Sequence, residues 1–399
     1  MPAGPNTPLI SFSHHDVEFA RDPFNTLSEL LETPVAWSDK HDGFWVLSRY
    51  DDVTAAFRDF RTFSSKNGSA IPALTFGGDH IPVSLDPPLH HEYRKILNPW
   101  FSMEAIMDRE AGIRELVRDT VSALAQKGEW DFVTDVGDVI PGTVVLGIIG
   151  MDAGRRGEFL DKMMLGMANQ GTSDPHILAQ VAQDKAWLDN EILICMRARR
   201  DKPEDDLMSV LANDPLGDGT ELTDHQMLGI VMLLLLAGFN TTSGAFAAMM
   251  VHLGQHPEQR QQLIDDPSLI PAAIEEIIRV YTPATAEGRI VTKDVEVGGE
   301  TLNEGDSVLL MIASANKDPR QFDRPLDVDF RRNNTRSIAF GWGVHRCLGI
   351  QLARLLLRTE IESVLEFMPY YEIDVEHTKL SDAMGVGYVH EHVPARLPA

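Results

Sequence analysis

FGWGVHRCLG, residues 340–349, carries Cys347, one of only two cysteines in this 399-residue chain. Three glycines in the stretch permit tight turns and a close approach of backbone N–H groups to the sulfur. The apolar run that starts at Ile350 predicts a helix just beyond the cysteine. A thiol at the amino end of a helix feels positive partial charge, which favours its thiolate. The stretch therefore predicts a metal-binding thiolate.

The cysteine count limits the kind of metal site. Cys195 is the only other cysteine, so cysteines alone cannot build a four-thiolate zinc or iron–sulfur site. Most buried cysteines are simply small apolar fillers, but the glycines and the basic residues around Cys347 argue against that interpretation. A haem iron with one axial thiolate needs a single cysteine.

The composition is that of an ordinary globular protein, with 43% hydrophobic and 24% charged residues. The formal net charge of -25 argues against nucleic acid or an anionic membrane surface as the main partner. Two cysteines cannot form a disulfide framework, and the amino terminus lacks the basic start and apolar run of a secretory signal. We therefore expect a cytoplasmic protein. No Gly/Ser-rich or Pro-rich linker and no internal repeat divides the chain, so we expect one domain over residues 1–399.

Helical patterns dominate the sequence. They cover residues 105–125, 157–167, 181–199, 272–280 and 351–367. Strand-like patterns are few and cover residues 43–48, 289–292, 295–297 and 307–312. The sequence predicts a mainly α chain with small sheets.

Residues 227–251 contain no charged side chain and are long enough to span a bilayer. Four polar residues, 240–243, stand in the middle of this run and would be costly in lipid. We therefore predict a helix buried through the centre of the protein. Thr223 and Gln226 have the spacing of a capping box at its start, and its end is expected near Gly254.

Residues 340–349 resemble the haem-binding signature of the cytochrome P450 mono-oxygenases. The matching residues are Phe340, Gly341, Gly343, His345, Cys347 and Gly349. The resemblance implies a helix-rich triangular prism with small β-sheets, and haem b (iron protoporphyrin IX) with Cys347 as its axial thiolate. It also implies that Phe340 shields the sulfur, while Gly341 and Gly349 bring backbone donors close to it.

Four further stretches resemble family elements and occur in the family's order. They are Glu276 to Arg279 as the Glu-x-x-Arg element, residues 316–319 with Phe322 and Pro325, residues 86–94, and residues 237–242. An isolated acid–base pair or turn of these kinds would usually be a surface feature. By the match, the haem propionates are held by His90, Arg94, Arg289 and His345.

The match at residues 237–242 gives the oxygen-activating helix. Ala237 and Gly238 would leave room for dioxygen and substrate, and Thr241 would hydrogen-bond dioxygen there. The family usually has an acid just before this threonine, whereas this chain has Asn240. An amide can orient water but cannot ionise to supply a proton, so the proton route is expected to differ, to run through water, or to be slower.

Six arginines and no acid lie within residues 331–359 of this strongly acidic chain. They are Arg331, Arg332, Arg336, Arg346, Arg354 and Arg358. Two interpretations have equal weight: internal pairing, or a positive surface that attracts an acidic ferredoxin.

The sequence thus predicts a bacterial-type mono-oxygenase that inserts one oxygen atom from O2 into a small or medium hydrophobic molecule, by hydroxylation or oxidative dealkylation. Electrons would come from NAD(P)H through ferredoxin reductase and ferredoxin. Candidate substrate-lining positions are 81–83, Leu234, Ala237, Thr285, Ala286 and Val386. A peroxide-driven peroxygenase and a non-catalytic haem sensor or carrier remain as alternatives.

Overall fold

The computed structural model describes residues 7–66, 69–72, 79–169, 172, 174–333, 335–382 and 387–398. Most of these residues are helical. The helices are α1 (Val17–Arg21), α2 (Pro23–Glu32), α3 (Tyr50–Arg58), α4 (Leu89–Leu97), α5 (Met103–Lys127), α6 (Val139–Ile149), α7 (Arg156–Ala168), α8 (Pro175–Asp201), α9 (Leu207–Asn213), α10 (Asp224–Gln255), α11 (Pro257–Asp265), α12 (Ile270–Tyr281), α13 (Ile312–Ala315) and α14 (Ile350–Phe367).

The strands are short and form small sheets. They are β1 (Leu9–Ile10), β2 (Val35–Ser38), β3 (Phe44–Leu47), β4 (Phe63–Ser64), β5 (Glu129–Asp131), β6 (Glu287–Val291), β7 (Val295–Val297), β8 (Glu300–Leu302), β9 (Ser307–Leu310), β10 (Glu372–Ile373), β11 (Lys379–Leu380), β12 (His390–His392) and β13 (Pro394–Arg396). The largest sheet has the order β1-β2-β3-β9-β6-β4, and smaller ones are β10-β13-β5, β11-β12 and β7-β8. The predicted mainly α class with small sheets is confirmed.

Helix α10 runs through the main apolar core, and its start was predicted correctly. The Thr223 hydroxyl accepts a hydrogen bond from the Gln226 N–H, and the Gln226 side chain accepts one from the Thr223 N–H, which completes the capping box. The helix is long and apolar enough to cross a membrane, but 72% of its most apolar window is buried inside the protein. Packing in the core therefore accounts for its apolar character without a bilayer.

Small residues bring α10 close to its neighbours. A Cβ atom at Gly238 would lie 2.6 Å from Val145 of α6. Helix α14 packs along α5 and also against α10 and α12. Because the loop with Cys347 leads directly into α14, these contacts fix the position of that loop.

The helices predicted from the sequence are present but were predicted too short. Helix α5, predicted for residues 105–125, begins one residue after Ser102, whose side chain accepts from the Ala105 N–H, and ends before Gly128 in the left-handed region. The strand predicted for residues 289–292 is Glu287–Val291, because Glu287 already pairs with Leu310. The strand predicted for residues 307–312 ends at Leu310, since Ile312 begins α13.

Candidate active site

The loop around Cys347 is a tight turn held by backbone hydrogen bonds. The Cys347 N–H donates to the carbonyl of Phe340 over 2.9 Å, and the Gly341 N–H donates to the carbonyl of Ile338. Gly341 and Gly343 both have φ of 69°, in the left-handed region that favours glycine. A Cβ atom at Gly343 would lie 2.4 Å from the carbonyl oxygen of Phe57, so this position needs glycine for space as well.

The side chain of Cys347 is accessible, although protein surrounds it closely. The side chain of Cys347 is solvent-exposed, yet burial by the surrounding protein raises the pKa of its thiol. The Gly349 N–H and the positive charges of three arginines oppose this rise in pKa. The arginines are Arg94, Arg346 and Arg354.

Gly349 is the N-cap residue of α14, so the sulfur stands beside the amino end of this helix. Phe340 lies on the same loop, with its ring 5.4 Å below the guanidinium of Arg354. The site predicted from the sequence for a metal-binding thiolate therefore has the backbone donors and the positive surroundings that favour a thiolate.

One face of α10 is accessible although most of this part of the helix is buried. Ala237 is exposed, and Gly238 and Thr241 are half-buried, whereas Phe239 and Thr242 beside them are buried. Ala237 and Thr241 stand one turn apart and so share a face of the helix. The accessible face lies at the positions that were predicted to leave room for dioxygen and substrate.

The two polar residues of the predicted proton route make different contacts. The Thr241 hydroxyl donates to the carbonyl of Ala237 over 2.8 Å, the usual bond of a mid-helix threonine. Its oxygen keeps lone pairs that can accept. The Asn240 side chain is buried and donates to the sulfur of Met167 on α7 over 3.2 Å.

The four residues predicted to hold propionates lie near one another. The ring centroids of His90 and His345 are 4.4 Å apart. Burial, and then the charges of Arg289, His90 and Arg94, lower the pKa of His345 to about 3. Burial, followed by the charge of Arg94, lowers the pKa of His90 to about 4. The structure thus brings together His90, Arg94, Arg289 and His345, which are far apart in sequence.

This cluster fits an anionic group. The Nδ1 atom of His90 is buried and has no hydrogen-bond partner among the described residues. Arg289 is 5% exposed, and its guanidinium donates to the carbonyl of Gly288 and lies 3.7 Å from the carboxylate of Glu287. Buried cations need negative partners, and the protein supplies few of them here. One thiol and four basic side chains match a haem with two propionates.

The Glu-x-x-Arg element forms a buried ion pair. Arg279 contacts both carboxylate oxygens of Glu276, and neither side chain has exposed surface. Arg279 also donates to the backbone carbonyls of Asn316, Pro325 and Asp327. These bonds attach the irregular segment that precedes the cysteine loop to α12.

Three of the six arginines near Cys347 are internally paired. Arg332 contacts Glu276 over 2.8 Å, Arg354 contacts Glu275 over 2.6 Å, and Arg358 contacts Glu110 over 2.6 Å. Within the described residues, Arg331, Arg336 and Arg346 form no ion pair. Internal pairing therefore holds for half of these arginines, and the other half are left for a positive surface. The Arg332 contact makes this residue a third member of the buried Glu276 cluster.

A groove of about 830 Å³ lies beside the cysteine loop. Its wall includes Phe340, Trp342 and Arg346 from the loop region and two exposed methionines of α5, Met103 and Met107. The groove thus combines exposed apolar side chains with one unpaired arginine.

The predicted substrate-lining residues are mostly buried or half-buried. Residues 81–83 and Thr285 are largely buried, and Leu234 and Ala286 are half-buried. Val386 lies outside the described residues.

Sequence reasoning missed two residues that support the basic cluster. Ser65 lies 3.2 Å from Nε2 of His345, and Asp86 accepts from the Ser64 hydroxyl and from the Ser65 N–H. Asp86 begins the stretch of residues 86–94 and was a possible signal, whereas nothing in the sequence marked Ser65.

Comparison with known proteins agrees with this geometry. The family profile described as Cytochrome P450 matches residues 174–379. Cyclomarin C epoxidase CymV of Salinispora arenicola is 31% identical over 350 residues, covering 86% of this chain and 88% of that protein. Steroid C26-monooxygenase of Mycobacterium tuberculosis is 32% identical over 337 residues, covering 82% of this chain and 87% of that protein.

The fold is similar to solved structures as well. A Mycobacterium marinum cytochrome P450 in complex with pseudoionone superposes with a TM-score of 0.89 at 25% identity, covering 99% of this chain and 100% of that chain. The family profile, the fold and the cysteine loop all indicate the same protein family. The chain belongs to the cytochrome P450 family and is a bacterial-type P450 mono-oxygenase.

Proposed function

We propose that this mono-oxygenase inserts one oxygen atom from O2 into a small or medium hydrophobic organic molecule, with electrons from NAD(P)H through ferredoxin reductase and ferredoxin. The observation that carries the proposal is the accessible thiol of Cys347 together with the basic cluster of His90, Arg94, Arg289 and His345. We further propose that the whole chain, residues 1–399, acts as one domain in the cytoplasm.

In this proposal Cys347 would ligate the iron of haem b, and the four basic side chains would hold its propionates. When bound, the haem supplies the oxidising chemistry, and the thiolate ligand favours cleavage of the O–O bond of dioxygen. Glycines at 341 and 349 let backbone donors approach the sulfur, and the Gly349 N–H already does so. Phe340 covers the loop side of the thiolate.

The protein's own part in proton transfer is assigned to α10. Thr241 relays a proton at its Oγ1 atom: a lone pair accepts the proton of a water, while the hydroxyl turns away from the Ala237 carbonyl and gives up its own proton. Asn240 does not ionise and is bonded to Met167, so it orients its surroundings and cannot act as the acid. Water is then the proton donor that reaches Thr241.

Thr241→Ala tests this assignment. We expect product formed per NADPH consumed to fall by about tenfold or more, because general acid–base groups contribute at least this much. The lost electrons should appear as hydrogen peroxide. Thr242→Ala is the matched control, since Thr242 is buried beside the accessible face. Equal coupling in the Thr241 variant and in wild type would contradict the role.

A hydrophobic substrate is supported by the lining positions. Ile81, Val83, Leu234 and Ala286 are apolar, and pockets of this composition bind apolar organic molecules. The relatives act on a steroid and on cyclomarin C, as their names state. Titration of the haem absorption band with a library of terpenoids, steroids and macrolides would identify the class, because a ligand that displaces water from the site changes the spin state.

The groove beside Cys347 is the proposed ferredoxin site. It offers Arg346 for an acidic partner and the exposed Met103 and Met107 as apolar contacts.

We expect Arg346→Glu to slow reduction by ferredoxin roughly tenfold at low salt, at the lower end of electrostatic steering effects. Stopped-flow reduction measures this rate. Arg197→Glu, the same change at an exposed position on α8 away from the groove, is the control. A slowing of the same size in both variants would reject this site.

One experiment separates the proposed function from its rival. Asn240 in place of an acid favours a peroxygenase as the second candidate. Product formation is compared with NAD(P)H, ferredoxin and reductase, with hydrogen peroxide alone, and with neither. The proposal predicts turnover in the first mixture at a rate well above the second, whereas faster turnover with peroxide alone would favour the peroxygenase.

A further inference from the structure

Tyr281, the last residue of α12, is hydrogen-bonded to a histidine. Its hydroxyl lies 2.9 Å from Nδ1 of His252, near the end of α10. His252 is 4% exposed, and burial, the largest influence, lowers its pKa. The imidazole is therefore neutral near pH 7 and has one nitrogen that can accept a proton.

Gln259 fixes which nitrogen accepts. Its Nε2 atom donates to the carbonyl of Val328 over 3.0 Å, so its Oε1 atom is the one that faces Nε2 of His252 over 2.7 Å. An amide oxygen only accepts, and Nε2 of His252 must therefore carry the hydrogen. It follows that Nδ1 is the acceptor and that the Tyr281 hydroxyl donates to it.

Three other tyrosines bond to groups that are not bases. Tyr50 and Tyr371 donate to backbone carbonyls, and Tyr93 accepts from the amide of Gln226. A carbonyl cannot take a proton at neutral pH. Within the described residues, Tyr281 is the tyrosine whose hydroxyl bonds to a group that can hold its proton.

A ring contact and a backbone contact lead from Tyr281 to α10. The ring centroid of Tyr388 is 5.5 Å from that of Tyr281. The carbonyl of Tyr388 lies against Gly244, where a Cβ atom would be only 2.9 Å away. Gly244 is three residues beyond Thr241, about 4.5 Å along the helix axis. The backbone of Tyr388 therefore contacts α10 about one turn beyond Thr241, and its ring contacts Tyr281.

Tyr281 and His252 also lie beside a groove in the protein surface. Tyr281, His252 and His256 line a groove of about 710 Å³. The rings of His252 and His256 are 4.4 Å apart, and the His256 side chain is 46% exposed. A small reductant in solution can therefore approach Tyr281 and His252 through this groove.

We propose that Tyr281, with His252 as its proton acceptor, is an oxidisable tyrosine that removes oxidising equivalents when the mono-oxygenase reaction fails to oxidise substrate. One electron leaves Tyr281 by way of Tyr388 and reduces the oxidant at the active site by one electron. The phenolic proton moves to Nδ1 of His252, which leaves a neutral tyrosyl radical beside an imidazolium. A thiol or ascorbate returns one electron at the groove, and the proton goes back to the phenol oxygen.

The proposal rests on the mono-oxygenase reaction and is independent of the proposed substrate and ferredoxin. The test therefore uses substrate-free holoenzyme mixed with meta-chloroperoxybenzoic acid, frozen within milliseconds and measured by electron paramagnetic resonance. We expect a neutral tyrosyl radical in wild type and loss of most of its signal in Tyr281→Phe. Tyr370→Phe, at a tyrosine that is 56% exposed, is the control and should keep the signal. A signal of wild-type size in Tyr281→Phe, or no tyrosyl signal in wild type, would overturn the proposal.

Two further variants test the electron route through Tyr388 and the proton acceptor His252 separately. Tyr388→Phe should reduce the peracid-induced radical but leave oxidation of Tyr281 by a dissolved ruthenium photo-oxidant unchanged, since that oxidant enters at the groove. His252→Leu should slow photo-oxidation roughly tenfold, the scale of one lost hydrogen bond, and abolish its solvent isotope effect. Unchanged behaviour in both variants would overturn the proposal even if Tyr281→Phe does not fold.

Discussion

Replacement of Arg279 by methionine is expected to lower the free energy of unfolding by about 3–5 kcal/mol, as found when one partner of a buried ion pair is removed. Glu276 would keep its contact with Arg332 but lose the two bonds from Arg279, inside a region without solvent. Three backbone carbonyls would each lose a donor as well, although that of Asp327 keeps one from Arg332. Urea unfolding of the holoenzyme, followed by circular dichroism, measures the change.

Arg354→Met is the matched control for this prediction. Arg354 pairs with Glu275 with about the same geometry, but its side chain is 37% exposed. Partly exposed pairs contribute about 0–1 kcal/mol. If both variants lose the same small free energy, the Glu276–Arg279 pair does not hold the segment before Cys347 in place.

Glu360→Met should raise the free energy of unfolding, and by more at pH 8 than at pH 5. Glu360 lies in α14, has no exposed surface, and neither of its carboxyl oxygens has a partner among the described residues. Burial raises the pKa of this carboxyl well above its ordinary range. An unsatisfied buried polar group costs about 1–3 kcal/mol even when neutral, and methionine removes that cost.

The sign of the pH effect follows from the raised pKa. Below the unfolded pKa of about 4.3, Glu360 is protonated in both states and pH has no effect on stability. Above it, the unfolded chain releases the proton and the folded protein keeps it, so wild-type stability falls by up to about 1.4 kcal/mol per pH unit until the folded pKa is reached. Methionine does not titrate, so the advantage of the variant grows with pH.

Denaturant titrations at several pH values measure this advantage. Glu366→Met is the control, because Glu366 is 50% exposed and pairs with Arg118. An advantage of Glu360→Met that stays constant from pH 5 to pH 8 would mean that Glu360 has a partner or water that keeps it ionised.

The parts of the site that come from local sequence were predictable. The cysteine loop is set by glycines at fixed spacing, and the start of α10 is set by a capping box within four residues. The family resemblance implied that four distant residues lie close together, namely His90, Arg94, Arg289 and His345. No spacing in the chain could give this proximity, because the four residues lie on α4, β6 and the cysteine loop.

Contacts between distant segments were not predictable. Arg332 belonged to a run of basic residues that suggested a surface, yet it reaches the buried Glu276, 56 residues earlier in the chain. The pairing of Tyr281 with His252 depends on how α12 packs against α10, which neither local pattern encodes. Helix lengths were underestimated because apolar periodicity ends before the caps do.

The carbon monoxide difference spectrum of the reduced full-length protein tests the central claim most directly. We predict the absorption band of a haem with a thiolate ligand in wild type and in Cys195→Ala, and loss of that band in Cys347→Ala. A purified protein without haem, or a Cys347→Ala variant that keeps the thiolate band, would contradict the assignment of Cys347 as the ligand.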